Sequence, residues 1–138
     1  MDFYVLKQPS AKADRVACDL ALTMWERNQR VFVATESETA CKQLDELMWQ
    51  HPAGRFLPHA PADHTDAGKA MVKIGALSTL NTADVVINLS RESIPHPENF
   101  SRILEIVPCA DEERMTSRVK YRAYKELGFT PRTQEIDK

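Results

Sequence analysis

Hydrophobic and polar positions along this chain fall into alternating strand-length and helix-length patterns. Phe3 to Leu6 is a short apolar run suited to a strand, leading through Gln8-Pro9-Ser10 into a change of period. Ala13, Val16, Ala17, Leu20, Ala21 and Met24 recur at helical spacing, with Asp14, Arg15, Asp19, Glu26 and Arg27 around them, which predicts a helix ending near Asn28. Arg30 to Ala34 reads as a second, buried strand. In the following Thr35-Glu36-Ser37-Glu38, Thr35 and Glu38 have the spacing of a capping box that opens a second helix through about Trp49.

Pro52, Gly54, Pro58 and Pro61 then break the pattern, leaving room for a short extended piece around Phe56-Leu57 before a polar loop with Asp63, His64, Asp66 and Gly68. Met71 to Ile74 and Val85 to Leu89 are β-branched, mostly apolar runs, as expected of strands covered on both faces. Pro95 and Pro97 delimit a turn, and Ile103 to Val107 is the last predicted strand. A long helix follows from about Glu112 to Leu127, with Gly128 placed to stop it. This alternation predicts an α/β fold, a three-layer sandwich on a mostly parallel sheet, with residues 1–129 forming a single domain. Thr130 to Lys138 reads as a polar C-terminal tail, disordered or lightly docked.

The last helix carries the most pointed chemistry. Arg114, Arg118, Tyr121, Arg122 and Lys125 fall at helical spacing, so a cationic stripe is expected along one face. Met115, Val119, Ala123 and Leu127 recur every four positions and are expected on the opposite side, buried against the body of the protein. A charge run is commonly a solvated face. Here, however, no Asp or Glu occurs from Met115 through Lys125, and Tyr121 and Tyr124 interleave with the cations. An acidic peptide ending in an aromatic residue and a free carboxylate fits: Arg118 or Arg122 would fork onto the carboxylate, Lys125 and Arg114 would meet the preceding acids, and an adjacent apolar pocket would take the ring. Single-stranded nucleic acid is the competing ligand. The formal net charge of -2 over 138 residues favours the peptide.

Composition narrows the rest. No stretch approaches the ~20 apolar residues that span a bilayer, and the first residues lack the form of a secretory signal, so a soluble, cytoplasmic protein is expected. Three widely separated cysteines, Cys18, Cys41 and Cys109, fit free thiols better than a disulfide framework. With four glycines, at 54, 68, 75 and 128, the chain has no phosphate-cradling loop, and Pro9 removes a backbone donor in the first strand-to-helix turn. No cofactor is called for. His59, Asp63, His64 and Asp66 form a conceivable metal cluster, and an alternative reading is a small ligand-binding or hydrolytic α/β enzyme using that loop. Trp49, Pro52, Phe56, Leu57 and Pro58 concentrate large apolar and rigid residues where the chain leaves a helix, either as core or as a surface covered by a partner.

Taken in order, the segments FYVL, RVFVATE, LDELMWQHPAGRFLPH and SRVKYRAYKELGF resemble the chi subunit of bacterial DNA polymerase III holoenzyme. The likeness spans most of the chain, is strongest at Leu44 to His59 and Arg118 to Phe129, and is weakest between Ala60 and Leu80. It implies an accessory protein of the clamp-loader assembly without enzymatic activity, with a fold similar to nucleotide-binding domains but without their site. It further implies two partners, the psi subunit and the acidic C-terminal tail of single-stranded DNA-binding protein, with nucleic acid reached through the latter. A repair helicase competing for the psi-binding side is a third. By matching position, Trp49 and Phe56 resemble the psi-facing anchors, with Pro52 and Leu57 beside them; Val107, Arg118, Tyr121 and Arg122 match the tail pocket, with Lys125 as an electrostatic helper. Arg122 departs from the family pattern, which has lysine there, and so replaces a compact ammonium by a planar fork.

Overall fold

The computed structural model describes residues 1–8, 13–50, 59–61, 72–80 and 83–136. In chain order these form β1 (Asp2–Leu6), α1 (Ala13–Glu26), β2 (Val31–Thr35), α2 (Glu38–Gln50), β3 (His59–Pro61), β4 (Val72–Ala76), β5 (Val85–Asn88), β6 (Arg102–Val107), α3 (Asp111–Glu126) and β7 (Arg132–Ile136). The strands make one sheet in the order β3-β4-β2-β5-β6-β1-β7, and every pairing is parallel. Strand alternation sorts the core into two faces. Leu6, Val31, Val33, Ile74, Ile87 and Leu104 point to the side covered by α1 and α2, where Ala17, Ala21 and Met48 meet them. Their neighbours Phe3 and Val107 point the other way, toward Tyr124 of α3, while Phe32 and Ile103 pack with Ile94 farther along that face. The predicted three-layer α/β sandwich is therefore the architecture observed.

Several local signals operate one step away from where the sequence pattern puts them. Thr35 closes β2, and the cap of α2 is Ser37, whose Oγ accepts the Ala40 N–H at 3.1 Å. Gly128, at φ 95°, ends α3 as expected: its N–H donates to the Lys125 carbonyl and that of Phe129 to the Tyr124 carbonyl. The polar end of the chain is no loose tail. Residues Arg132 to Ile136 pair in parallel with β1 along its whole length, from Asp2 to Leu6. As an edge strand with mostly exposed side chains, β7 needs no apolar alternation, which is why its composition reads as a tail. The expected extended piece around Phe56-Leu57 lies outside the described residues, just before β3.

The largest departure concerns α3. Met115, Val119 and Leu127 were expected to anchor it, yet they are 64%, 68% and 64% exposed, while Tyr124 is fully buried and Lys120 nearly so. The buried face is polar at its centre. Register brings Asn88 of β5 opposite Glu105 of β6, on the face beneath α3. Lys120 Nζ donates to Glu105 Oε1 at 3.0 Å and to the Ser90 carbonyl. The Tyr124 hydroxyl donates to Glu105 Oε2 at 2.6 Å, and Asn88 Nδ2 donates to the same oxygen at 2.8 Å. Tyr124 in turn accepts the Ile94 N–H at 2.8 Å. Burial first, and then the adjacent Glu105 carboxylate, pushes the Tyr124 hydroxyl well above the usual tyrosine range, so it remains a proton donor to Glu105.

A buried ion pair of this kind is costly to break from one side, because the abandoned charge keeps its desolvation penalty without its partner. Lys120→Met is expected to lower unfolding free energy by about 3–5 kcal/mol in a urea titration. Val119→Ser, despite removing an apolar helix residue, is expected to change it by no more than about 0.5 kcal/mol. The opposite ranking would mean that α3 docks through its apolar line after all.

Candidate functional site

The parallel register builds the floor of a hollow beside α3. Val5 pairs with Val107 on one side and with Glu135 on the other, so these three form one cross-strand row on the face that α3 covers. From α3, Arg114, Ser117 and Arg118 complete the wall, and Lys7 closes the end, around a volume of ≈ 530 Å³. Lys7 Nζ lies 2.9 Å from Glu135 Oε2, with both side chains partly in solvent. Arg114 reaches the Cys109 sulfur at 3.7 Å. The result is an apolar floor under three cations and one carboxylate.

Of the five residues expected to form a tail pocket, Val107 and Arg118 line this hollow, and Tyr121, Arg122 and Lys125 do not. Val107 is buried and offers floor rather than an exposed contact; Arg118 lines the wall. Tyr121 is half-buried beside the hollow, its ring centroid 5.5 Å from that of Phe3, and Lys125 Nζ stands 5.8 Å from the Tyr121 centroid, within cation–π range. Arg122 is exposed and projects farther toward solvent, one residue beyond Tyr121, so it adds field rather than wall. Tyr124 presents no surface to a ligand. Val5, Lys7, Ser117 and Glu135 were missed, because β1–β6 and β1–β7 register is not legible in a run of residues; the one available signal was a lysine directly following the first strand. The exposed Met115 and Val119 lie along the outer side of the cationic stripe.

Trp49, in the last turn of α2, is 62% exposed, whereas Pro52, Phe56 and Leu57 lie outside the described residues. His59 belongs to β3, and Asp63, His64 and Asp66 of the conceivable metal cluster are likewise outside the described residues. Among the described residues no group of three or more potential ligands gathers, and no helix is long and apolar enough to cross a membrane. Cys18 is buried and Cys41 and Cys109 are half-buried, and burial, with Asp14 and Asp19 nearby, pushes the Cys18 thiol up to about 12. A second hollow of ≈ 290 Å³ opens at the carboxyl ends of β5 and β6, where open α/β sheets commonly take ligands. Several of its charged groups are already engaged. Arg91 pairs with Glu113 at 3.4 Å and donates its N–H to Glu36 at 2.7 Å, while Lys120 holds Glu105.

Comparison with known proteins adds what geometry alone does not. A family profile described as DNA polymerase III chi subunit, HolC, matches residues 1–132. The chain belongs to this family. Relatives named DNA polymerase III subunit chi include one from Pseudomonas aeruginosa, 32% identical over 94% of this chain and 91% of its own, and one from Escherichia coli, 28% identical over 95% and 94%. A third, from Haemophilus influenzae, is 26% identical over 97% and 95%. Among solved structures, this chi-family chain superposes on yeast Dbp5 L327V, determined with Nup159, Gle1 H337R, IP6 and ADP, with a TM-score of 0.69. That match has 9% identity, covering 99% of this chain and 42% of the other, and is a likeness of fold alone.

Proposed function

We propose that this chi-family protein is a non-catalytic linker in the DNA polymerase III clamp-loader assembly, binding the acidic C-terminal tail of single-stranded DNA-binding protein through the hollow beside α3 and the psi subunit through the Trp49 end of α2. The observation that carries the first half is the meeting of Lys7, Arg114 and Arg118 around an apolar floor of Val5 and Val107. A peptide terminus supplies the complementary pair of features, a carboxylate for a guanidinium fork and a ring for the floor. Arg122 and Lys125 extend the positive field along α3 toward the preceding acids. For the second half, a large aromatic exposed at a helix end is an expected anchor for a partner.

Such a contact is small and its charges are solvated, so each tail binds weakly and is screened over ~8 Å at physiological ionic strength. Several tails on one oligomeric DNA-binding protein compensate by raising the effective concentration. The psi contact then connects that attachment to the polymerase assembly.

The test is a fluorescence titration with a synthetic acidic peptide ending in Pro-Phe. Arg118→Ala, or amidation of the peptide terminus, is expected to weaken binding about tenfold or more, the scale of losing charge-assisted hydrogen bonds. Unchanged affinity for both would remove the hollow from the function, and length-dependent binding of oligothymidine with no response to the peptide would favour direct strand binding instead. Trp49→Ala is expected to abolish co-elution with psi while leaving the peptide titration and the thermal midpoint within error; loss of the fold would return Trp49 to the core.

A further inference from the structure

Among the described residues lining the cationic hollow, one carboxylate, that of Glu135, has no evident use in gripping an acidic peptide. Glu135 comes from β7, on the edge of the sheet, and the β1–β7 register sets it level with Val5 on the floor, facing the same side as Arg114 and Arg118 of α3. Its Oε2 lies 2.9 Å from Lys7 Nζ, in an ion pair that fills part of the space an incoming anion would need. The pair is not part of the core: Lys7 and Glu135 side chains are 43% and 61% exposed, and the strand is held by backbone bonds, including Lys7 N–H to the Ile136 carbonyl and Arg132 N–H to the Met1 carbonyl. Its side chain is therefore dispensable for docking β7, and a pair so exposed adds little stability.

We infer that Glu135 is a built-in competitor of the hollow, a residue that holds Lys7 and moderates the affinity of the site for an acidic peptide. This rests on the proposed binding of an acidic peptide end at the same site. A peptide with a single carboxylate meets a hollow already partly neutralised. One with several acids near its terminus is repelled by the same carboxylate more strongly, because the Coulomb cost grows with the peptide's charge, so Glu135 lowers affinity most for the most acidic sequences. Because the competitor is solvated, its effect is modest and ionic.

The experiment compares wild-type protein, Glu135→Gln and Glu135→Lys in titrations with the acidic peptide ending in Pro-Phe and with a version whose internal acids are replaced by Asn. Glu135→Gln is expected to tighten binding of the acidic peptide roughly two- to fivefold at low salt, the scale of one exposed charge pair. Glu135→Lys should tighten it further, and both gains should shrink at ~1 M salt, where the Debye length falls to about 3 Å. The variants should discriminate more strongly than wild-type protein between the fully acidic peptide and the version with Asn in place of its internal acids, because the gain grows with peptide charge. Unchanged or weaker binding by Glu135→Gln, with wild-type binding intact and still lost in Arg118→Ala, overturns this inference and leaves the proposed function standing. A wild-type protein that does not bind the acidic peptide at all overturns both.

Discussion

The carboxylate of Glu105 determines how the last helix lies on the sheet, and most of the functional surface follows from that. Hydrophobic burial has no direction, so an amphipathic helix can roll about its axis at little cost as long as some apolar face goes in. Here two faces compete. Rolling Met115, Val119 and Leu127 inward would gain about 1.5–3 kcal/mol for each side chain fully buried. The same motion would expose Tyr124 and part of Tyr121, returning comparable area to water. What remains on the balance is Glu105, fixed on a central strand, whose desertion by Lys120 and Tyr124 costs several kcal/mol. A directional interaction settles a choice that area leaves nearly even.

Once that rotation is fixed, Arg114 and Arg118 stand over the Val5–Val107 row, and Tyr121 wedges against Phe3 beside them. The hollow draws on four separated stretches of sequence, at 5–7, 107, 114–118 and 135. Parallel pairing is what joins them, because β6 and β7 both flank β1. The Gly128 turn matters for the same reason: the positive φ there reverses the chain from α3 back to the sheet so that β7 can bring its carboxylate to the site.

The strand-helix alternation, the sheet's parallel character and the approximate spans of the three helices and of five strands were legible in the sequence, since they rest on local periodicity, whereas β3 and β7 were not. The cationic stripe was legible too. Which side of α3 it flanks was not, because Met115, Val119 and Leu127 of the four-residue apolar repeat stay in solvent and the buried face carries Lys120 and Tyr124, residues that hydropathy scores as surface or ambiguous. Glu105 stands as a lone acid inside an apolar strand run, Ile103-Leu104-Glu105-Ile106-Val107. In retrospect that is the signal: a charge in the middle of a two-face buried strand demands a partner, and the next helix supplies one fifteen residues on. Lys7 and Glu135 were illegible for a different reason, since pairing register between β1 and β7 is a tertiary fact and an edge strand carries no hydrophobic signature.

Trp49 lies on α2 and the hollow lies beneath α3, and these helices cover opposite faces of the sheet. Two partners of the proposed kinds would then approach from different sides, so neither needs to exclude the other. A linker benefits from that separation: the two contacts need not be coupled energetically, and each is free to differ in strength. An apolar aromatic contact suits a durable association, while solvated, salt-screened cations suit one that releases and rebinds. In the proposed function the polar network at Glu105 would serve the reversible side, because it holds the cations in place through the helix while leaving them in water.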